Sequence, residues 1–232
     1  MAKMESSFKN MVLVLTGITV IAGGLLGWVN DLTTAPIAAA KAAKQQAAIQ
    51  AVAPAFDNDP IADQWSTTLP DGTEAIIFPA KQNDELVGAA VQSKTKKGFG
   101  GEVSIMVGFD KEGNITGYNV LSHAETPGLG SKMPTWFNEG GKGNVIGKNP
   151  GKNNLTVSKD GGEVDAITAA TISSRAFLDA VANAYNAFTG TQDAKSGATQ
   201  KAQPAEATTQ VDDTTDNAAQ PAEATNENQE GN

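Results

Sequence analysis

The 232-residue chain contains no cysteine and a single histidine, His123. The first absence excludes thiolate-bound iron–sulfur clusters, thioether-linked haem and disulfides within the chain. The second excludes any zinc or haem site built on two histidines of this chain. Electron chemistry, if present, therefore requires an organic cofactor. Basic residues are also scarce, 17 against 26 acidic ones, for a net charge of −9. Residues 189–232 hold eight of the acids and two lysines, so this segment carries −6 and the rest of the chain only −3. No basic face for nucleic acid emerges, and nucleic acid is excluded as a partner. The length suits one domain with accessories rather than two domains.

Charge is absent altogether from residues 10–30, whose core reads MVLVLTGITVIAGGLLGWV. At about 1.5 Å per residue this run spans roughly 30 Å, the thickness of a bilayer's hydrocarbon core. Trp28 stands at one end, where an interfacial aromatic belongs. A cleaved signal peptide is the alternative, but its apolar region is normally only about 7–15 residues long. The expectation is a single uncleaved transmembrane anchor. Lys3, Lys9 and the terminal amine outweigh Glu5, which places residues 1–9 on the cytoplasmic side and the body outside. Lys41 and Lys44 weaken that asymmetry. Pro36 suits a first helical turn, and the alanines and glutamines after it propagate a helix. Residues 31–55 thus read as a helical juxtamembrane spacer.

From 56 to 188 the pattern is mixed and globular. EAIIFPA, ELVGAAVQS, VSIMVGF, ITGYNVLS and NLTVS read as short strands rich in β-branched residues. The turn DKEGN at 110–114 joins two of them as an antiparallel hairpin. Between Ser174 and Phe188, the residues Phe177, Leu178, Val181, Tyr185 and Phe188 recur at helical spacing on one face. The fold class expected is α+β: a transmembrane helix, then a mostly antiparallel sheet with packed helices. Residues 189–232 hold few bulky apolar side chains and a near-repeat, QPAEAT at 203–208 and 220–225. Such a composition cannot offset its ordering entropy and predicts a disordered acidic tail.

Three segments bear on chemistry. GEVDAITAATISS at 162–174 reads as a strand end followed by a helix start, with Thr171, Ser173 and Ser174 as candidate first residues. A helix start gathers unpaired N–H groups and the positive end of the dipole, a seat for phosphate. The small residues Ala169 and Ala170 leave room for it. Taken alone, Thr171 reads equally as an ordinary cap. SHAETPGLGSK at 122–132 is a loop with a tight turn at Pro127-Gly128 and a permissive Gly130. His123, with no second histidine available, reads as a loop residue rather than a metal ligand, and no metal site is expected. GFGGE at 98–102 is either a plain turn or a place of close backbone approach. Trp136 and Phe137 serve as core filling or as walls of a site, core filling being the commoner use.

The 165–171 segment, DAITAAT, resembles the flavinylation signal of FMN-binding domain proteins: Asp, two residues, Ser or Thr, Gly, Ala, Thr. The His-x-Glu-Thr-Pro-Gly-Leu-Gly loop resembles one branch of that family. The branch comprises the G subunits of Rnf ferredoxin:NAD oxidoreductase complexes and the C subunits of sodium-translocating NADH:quinone reductases. The resemblance covers roughly residues 8–188 and not the tail. It implies FMN joined through its phosphate to the hydroxyl of Thr171. It implies a signal of Asp165, Thr168, Ala169, Ala170 and Thr171 read by an FMN transferase. Thr168, Ala170 and Ile172 would adjoin the cofactor, with Glu125 and Thr126 as polar contacts and Leu129 as an apolar surface. No catalytic acid or base is implied. The expected function is electron transfer within an ion-translocating membrane complex, a translocase, beside its other subunits and the lipid bilayer. The FMN domain would lie on the extracytoplasmic side of the cell membrane. The alternatives are the quinone reductase branch, an anchored flavin-free binding or assembly module, and a reductase acting on a soluble acceptor. One position departs from the signal: Ala169 stands where Gly is usual. The change matters if residue 169 requires a positive backbone dihedral, which Gly adopts far more readily.

Overall fold

The computed structural model describes residues 8–195, 197 and 198. The cytoplasmic segment expected at 1–9 and the tail expected from 189 fall largely outside the described residues.

Helix α1 runs unbroken from Phe8–Val52, 45 residues, or about 67 Å at 1.5 Å per residue. Its first half is apolar on every side and bare, with Leu13 72% and Leu26 71% exposed. A surface of that kind suits lipid rather than water. It is the only helix among the described residues long and apolar enough to cross a membrane. Pro36 lies inside α1 and does not begin a new helix, contrary to the sequence expectation. An interior proline removes one backbone bond, at a cost of about 3 kcal/mol. The flanking run of Ala, Lys and Gln has high enough helix propensity to carry the helix through.

The segment expected as a spacer ends as a packing layer. Ala48, Ile49 and Val52 are buried against Phe78, Ala90 and Met106 of the sheet. Lys44 Nζ donates to the Leu121 carbonyl, Gln45 bonds Gln92 at 3.0 Å, and Thr116 Oγ1 donates to the Val52 carbonyl at 2.6 Å. Gly108 makes the approach possible: a Cβ there would lie 1.8 Å from the Val52 carbonyl oxygen.

The sheet is a five-stranded antiparallel meander in the order β1-β2-β3-β4-β5. The strands are β1 (Trp65–Thr68), β2 (Glu74–Gln82), β3 (Glu85–Thr95), β4 (Val103–Asp110) and β5 (Ile115–His123). Four of them follow the runs expected from the sequence. The hairpin at 110–114 closes as expected, with Asp110 Oδ1 accepting the Asn114 N–H at 2.8 Å. β1 went unread because it is short, polar and largely exposed. NLTVS is not a strand. It contributes only one isolated bridge, Val157 to Val164. Asn149, Asn153 and Asn154 hold the local backbone in turns instead. Leu155 and Val157 are buried as anchors of that irregular stretch.

Alternation decides the two faces of the sheet. Val103, Ile105, Val107 and Phe109 of β4 join the larger core, while Met106 faces α1. Across that larger core lies α3 (Thr171–Thr189). It starts at Thr171, the earliest of the three candidate first residues and three residues before the amphipathic stretch, and buries Phe177, Leu178 and Val181. Phe177 stacks on Phe137 at 4.2 Å and meets Tyr118 edge-on at 4.9 Å. Between β5 and α3 the chain forms α2 (Met133–Trp136) and two single 3₁₀ turns. The result is three layers: the end of α1, the sheet, then α3. Beyond Gly190, which caps α3 in the left-handed conformation, Ala194 still packs into the core. Its backbone N–H and C=O are both held by the Asn186 amide.

Candidate functional site

The start of α3 is shaped by short-range bonds. Ser174 Oγ accepts the Ile167 N–H at 2.9 Å and donates to the Ala170 carbonyl at 3.0 Å. Trp136 donates its indole N–H to the Asp165 carbonyl at 2.8 Å. This bracing turns the chain sharply, and the turn sets Ala169 at φ +60°. Residue 169 therefore occupies the left-handed region that glycine tolerates best. Ala170 becomes the residue before the helix, with no side-chain cap. Thr171 is the first helical residue and does not act as a cap. Among the described residues its hydroxyl has no hydrogen-bond partner, and the N–H groups of residues 171–173 have no protein acceptor. Unpaired donors at a helix start form an anion seat.

The 122–132 loop packs onto this helix start. Glu125, 5% exposed, is its anchor. Oε2 accepts the hydroxyl proton of Ser173 at 2.6 Å, and Oε1 accepts the Gly100 N–H at 3.4 Å. One carboxylate thus ties together the 98–101 turn, the 122–132 loop and α3. Close approach explains the glycines. A Cβ on Gly130 would lie 2.5 Å from Ser173 Oγ, and one on Gly100 would lie 1.9 Å from the Ala124 carbonyl oxygen. The 98–102 segment is therefore a site of close backbone approach, the question the sequence left open.

Together these pieces enclose a cleft of about 330 Å³, within the range of small-ligand sites. Phe99 comes from the β3–β4 connection, Thr126, Leu129 and Gly130 from the loop, and residues 169–173 from the helix start. Phe99, Leu129 and Ile172 expose large apolar side chains at its walls. A larger groove of about 700 Å³ runs along the bare face of α1 between Phe8 and Ile21. It is the ridged surface of a lone helix and brings no converging polar groups together.

The predicted site residues fall into three groups. Thr126, Leu129, Ala169, Ala170, Thr171 and Ile172 line the cleft. Asp165 and Thr168 are exposed beside it, and their side chains make no hydrogen bond among the described residues. Glu125 lies behind the wall, its carboxylate directed to Ser173 and Gly100. His123 Nδ1 accepts the Glu125 N–H at 3.2 Å. Phe137 is core and Trp136 a brace. Sequence reading assigned no site role to Ser173 or Gly130. Their signal was present, a serine two residues beyond Thr171 and a second glycine in the loop, but their meeting is a tertiary event. One helical turn along α3 from Thr171, Arg175 clasps Asp160 through two bonds of 2.8 and 2.7 Å. The guanidinium holds the Asp160 carboxyl below the usual carboxylate range.

Residues 98–186 match the FMN-binding domain family, and the matched span contains every residue of the cleft up to and including the start of α3. That is the class of protein the fold and the cleft define. Over longer stretches the chain resembles G subunits of the ion-translocating oxidoreductase complex. The Yersinia pestis protein is 36% identical over 172 residues, covering 70% of this chain and 81% of that one. The Cereibacter sphaeroides protein is 34% identical over 183 residues, covering 76% and 82%. The Escherichia coli protein is 32% identical over 169 residues, covering 69% and 81%. The chain belongs to this family, the G subunits of ion-translocating oxidoreductase complexes.

Proposed function

We propose that this chain is the membrane-anchored electron-transfer subunit of an Rnf-type ferredoxin:NAD oxidoreductase, carrying FMN in phosphoester linkage to Thr171. The observation that carries this reading is the state of Thr171. Among the described residues its hydroxyl is unbonded and three backbone N–H groups beside it are unpaired; it stands at the first helical position and lines the cleft. A phosphate joined there would receive those N–H groups and the favourable end of the α3 dipole. Leu129, Ile172 and Phe99 offer apolar surface to a planar ring. The isoalloxazine ring of FMN accepts and releases electrons itself, so no acid or base of the protein is required. The residues present fit that group: a nucleophilic hydroxyl, an anion seat and an apolar slot.

Asp165 and Thr168, exposed beside the cleft, remain available to an FMN transferase. Thr168 and Ala170 flank the attachment point, and Thr126 supplies a hydroxyl at the loop side of the cleft. The bare apolar half of α1 anchors the chain in the cell membrane. The charge balance of residues 3–9, offset in part by Lys41 and Lys44, favours a cytoplasmic N-terminus with the FMN domain outside. A covalent tether suits that side, where free FMN is not resupplied. The partners are the other subunits of the complex, as the names of the relatives indicate.

The test is a denaturing gel of the full chain made in a host with a flavin transferase, viewed under ultraviolet light beside Thr171→Ala. A fluorescent wild-type band that is lost in the variant is expected. A dark wild-type band next to a fluorescent control protein would overturn the reading and favour a flavin-free module.

A further inference from the structure

Glu125 combines three features that its structural role does not require together. It is 5% exposed. No cation is paired with it among the described residues. Both of its oxygens receive donors, the Ser173 hydroxyl and the Gly100 N–H, a donor set matched to the ionised carboxylate. A buried charge without a counter-ion is costly and seldom kept for packing alone.

Its position gives that charge something to act on. Ser173 and Gly130 form part of the cleft wall, and the carboxylate lies immediately behind them. Ser173 Oγ is 2.6 Å from Oε2, and Gly130 is so close that a Cβ on it would lie 2.8 Å from the same oxygen. A side chain at 130 would have pushed the carboxylate away, whereas glycine keeps it within one backbone thickness of the cleft. Burial keeps water from screening it. Nor can Ser173 turn its proton towards the cleft, because that proton is committed to Glu125. At Ser173 Oγ the wall thus presents a lone pair backed by a negative charge, apart from the backbone N–H donors of residues 171–173 that form the anion seat.

We infer that Glu125 is a positioning residue for redox potential: its fixed negative charge, acting through Ser173 and across Gly130, opposes electron gain by a flavin in the cleft. The flavin is thereby held at low potential. Ser173 spreads part of that charge by donating to it. The inference rests on the reading of the cleft as an FMN site and adds what its wall does to the cofactor.

The experiment is a spectroelectrochemical titration of the flavin-loaded full chain in detergent, comparing wild type, Glu125→Gln, Glu125→Asp and Ser173→Ala. Glu125→Gln removes the charge and keeps the shape, so its midpoint potential rises. Glu125→Asp keeps the charge and returns the potential towards wild type. Ser173→Ala leaves the carboxylate in place with one donor fewer, so its potential falls. A purely structural clamp would shift Glu125→Gln and Ser173→Ala alike. An unmoved or lowered potential in Glu125→Gln, or an unmoved or raised one in Ser173→Ala, overturns the inference. If the Glu125 variants do not load flavin, Ser173→Ala decides: removing the donor that spreads the charge should lower the potential, so a potential below wild type supports the inference, and one at or above wild type refutes it. A wild type that carries no flavin overturns the functional reading itself, whereas a loaded wild type with misplaced shifts overturns this inference alone.

Discussion

Ala169 sits at φ +60°, in the middle of the flavinylation-like segment. An L-residue in the left-handed region bears about 1–2 kcal/mol of steric cost, because its Cβ crowds the neighbouring carbonyl. Glycine escapes that cost but loses about 0.4–1 kcal/mol more in the freedom of its unfolded chain. The difference predicts that Ala169→Gly stabilises the protein by about 0.5–1 kcal/mol. For a folded body of this size that corresponds to a rise in melting temperature of roughly 1–4 °C. The measurement is thermal unfolding of the full chain in detergent, followed by circular dichroism. Ala170→Gly is the control, because Ala170 lies at φ −137° and gains nothing from glycine. The same substitution is expected to speed flavin attachment, since the strained turn is what sets Thr171 at the helix start. A melting temperature that stays or falls in Ala169→Gly, while Ala170→Gly behaves identically, would refute the reasoning.

Other outcomes follow from the packing. Phe177→Ala opens a cavity between Phe137 and Tyr118 and is expected to cost about 3–5 kcal/mol, read as a lower denaturation midpoint. Gly108→Ala places a methyl 1.8 Å from the Val52 carbonyl, so α1 must shift. The expected loss is about 1–3 kcal/mol, with faster amide exchange at residues 48–52 than elsewhere in the domain. Acid should loosen the contact between Asp160 and Arg175. Because the folded carboxyl is held below its ordinary value of 3.8, its stabilisation is complete above that value and is lost as pH falls through the folded pKa. Asp160→Asn should remove this acid-dependent step, as seen by hydrogen exchange at residues 158–160.

Much of this was legible in the sequence because it depends on local period and composition. The apolar run of α1 declares itself by length and lack of charge. Four of the five strands declare themselves through alternation and β-branching. The amphipathic face of α3 follows from side chains at helical spacing. DAITAAT, HAETPGLG and the region they belong to were readable for the same reason: each motif is contiguous. The misreadings arose where local signals conflict with packing. Pro36 looked like a helix start, yet the chain continues as one helix whose far end is pinned to the sheet beneath Gly108. NLTVS looked like a strand by composition, yet asparagines in and before it turn the backbone, and its only ladder contact is the isolated bridge from Val157 to Val164.

The sequence by itself determined most of the elements and the candidate residues for chemistry, since helix period, strand alternation and turn preference are short-range properties. Only the tertiary structure decided how those residues meet. Glu125 and Ser173 lie 48 positions apart, and no pattern along the chain announces that a carboxylate in one loop will receive the hydroxyl of a distant helix. The conformation of residue 169 is equally a product of assembly, imposed by Ser174 and Trp136 on a segment whose own preference is otherwise. Such contacts depend on close approach in space, and closeness in space is settled only when the layers pack.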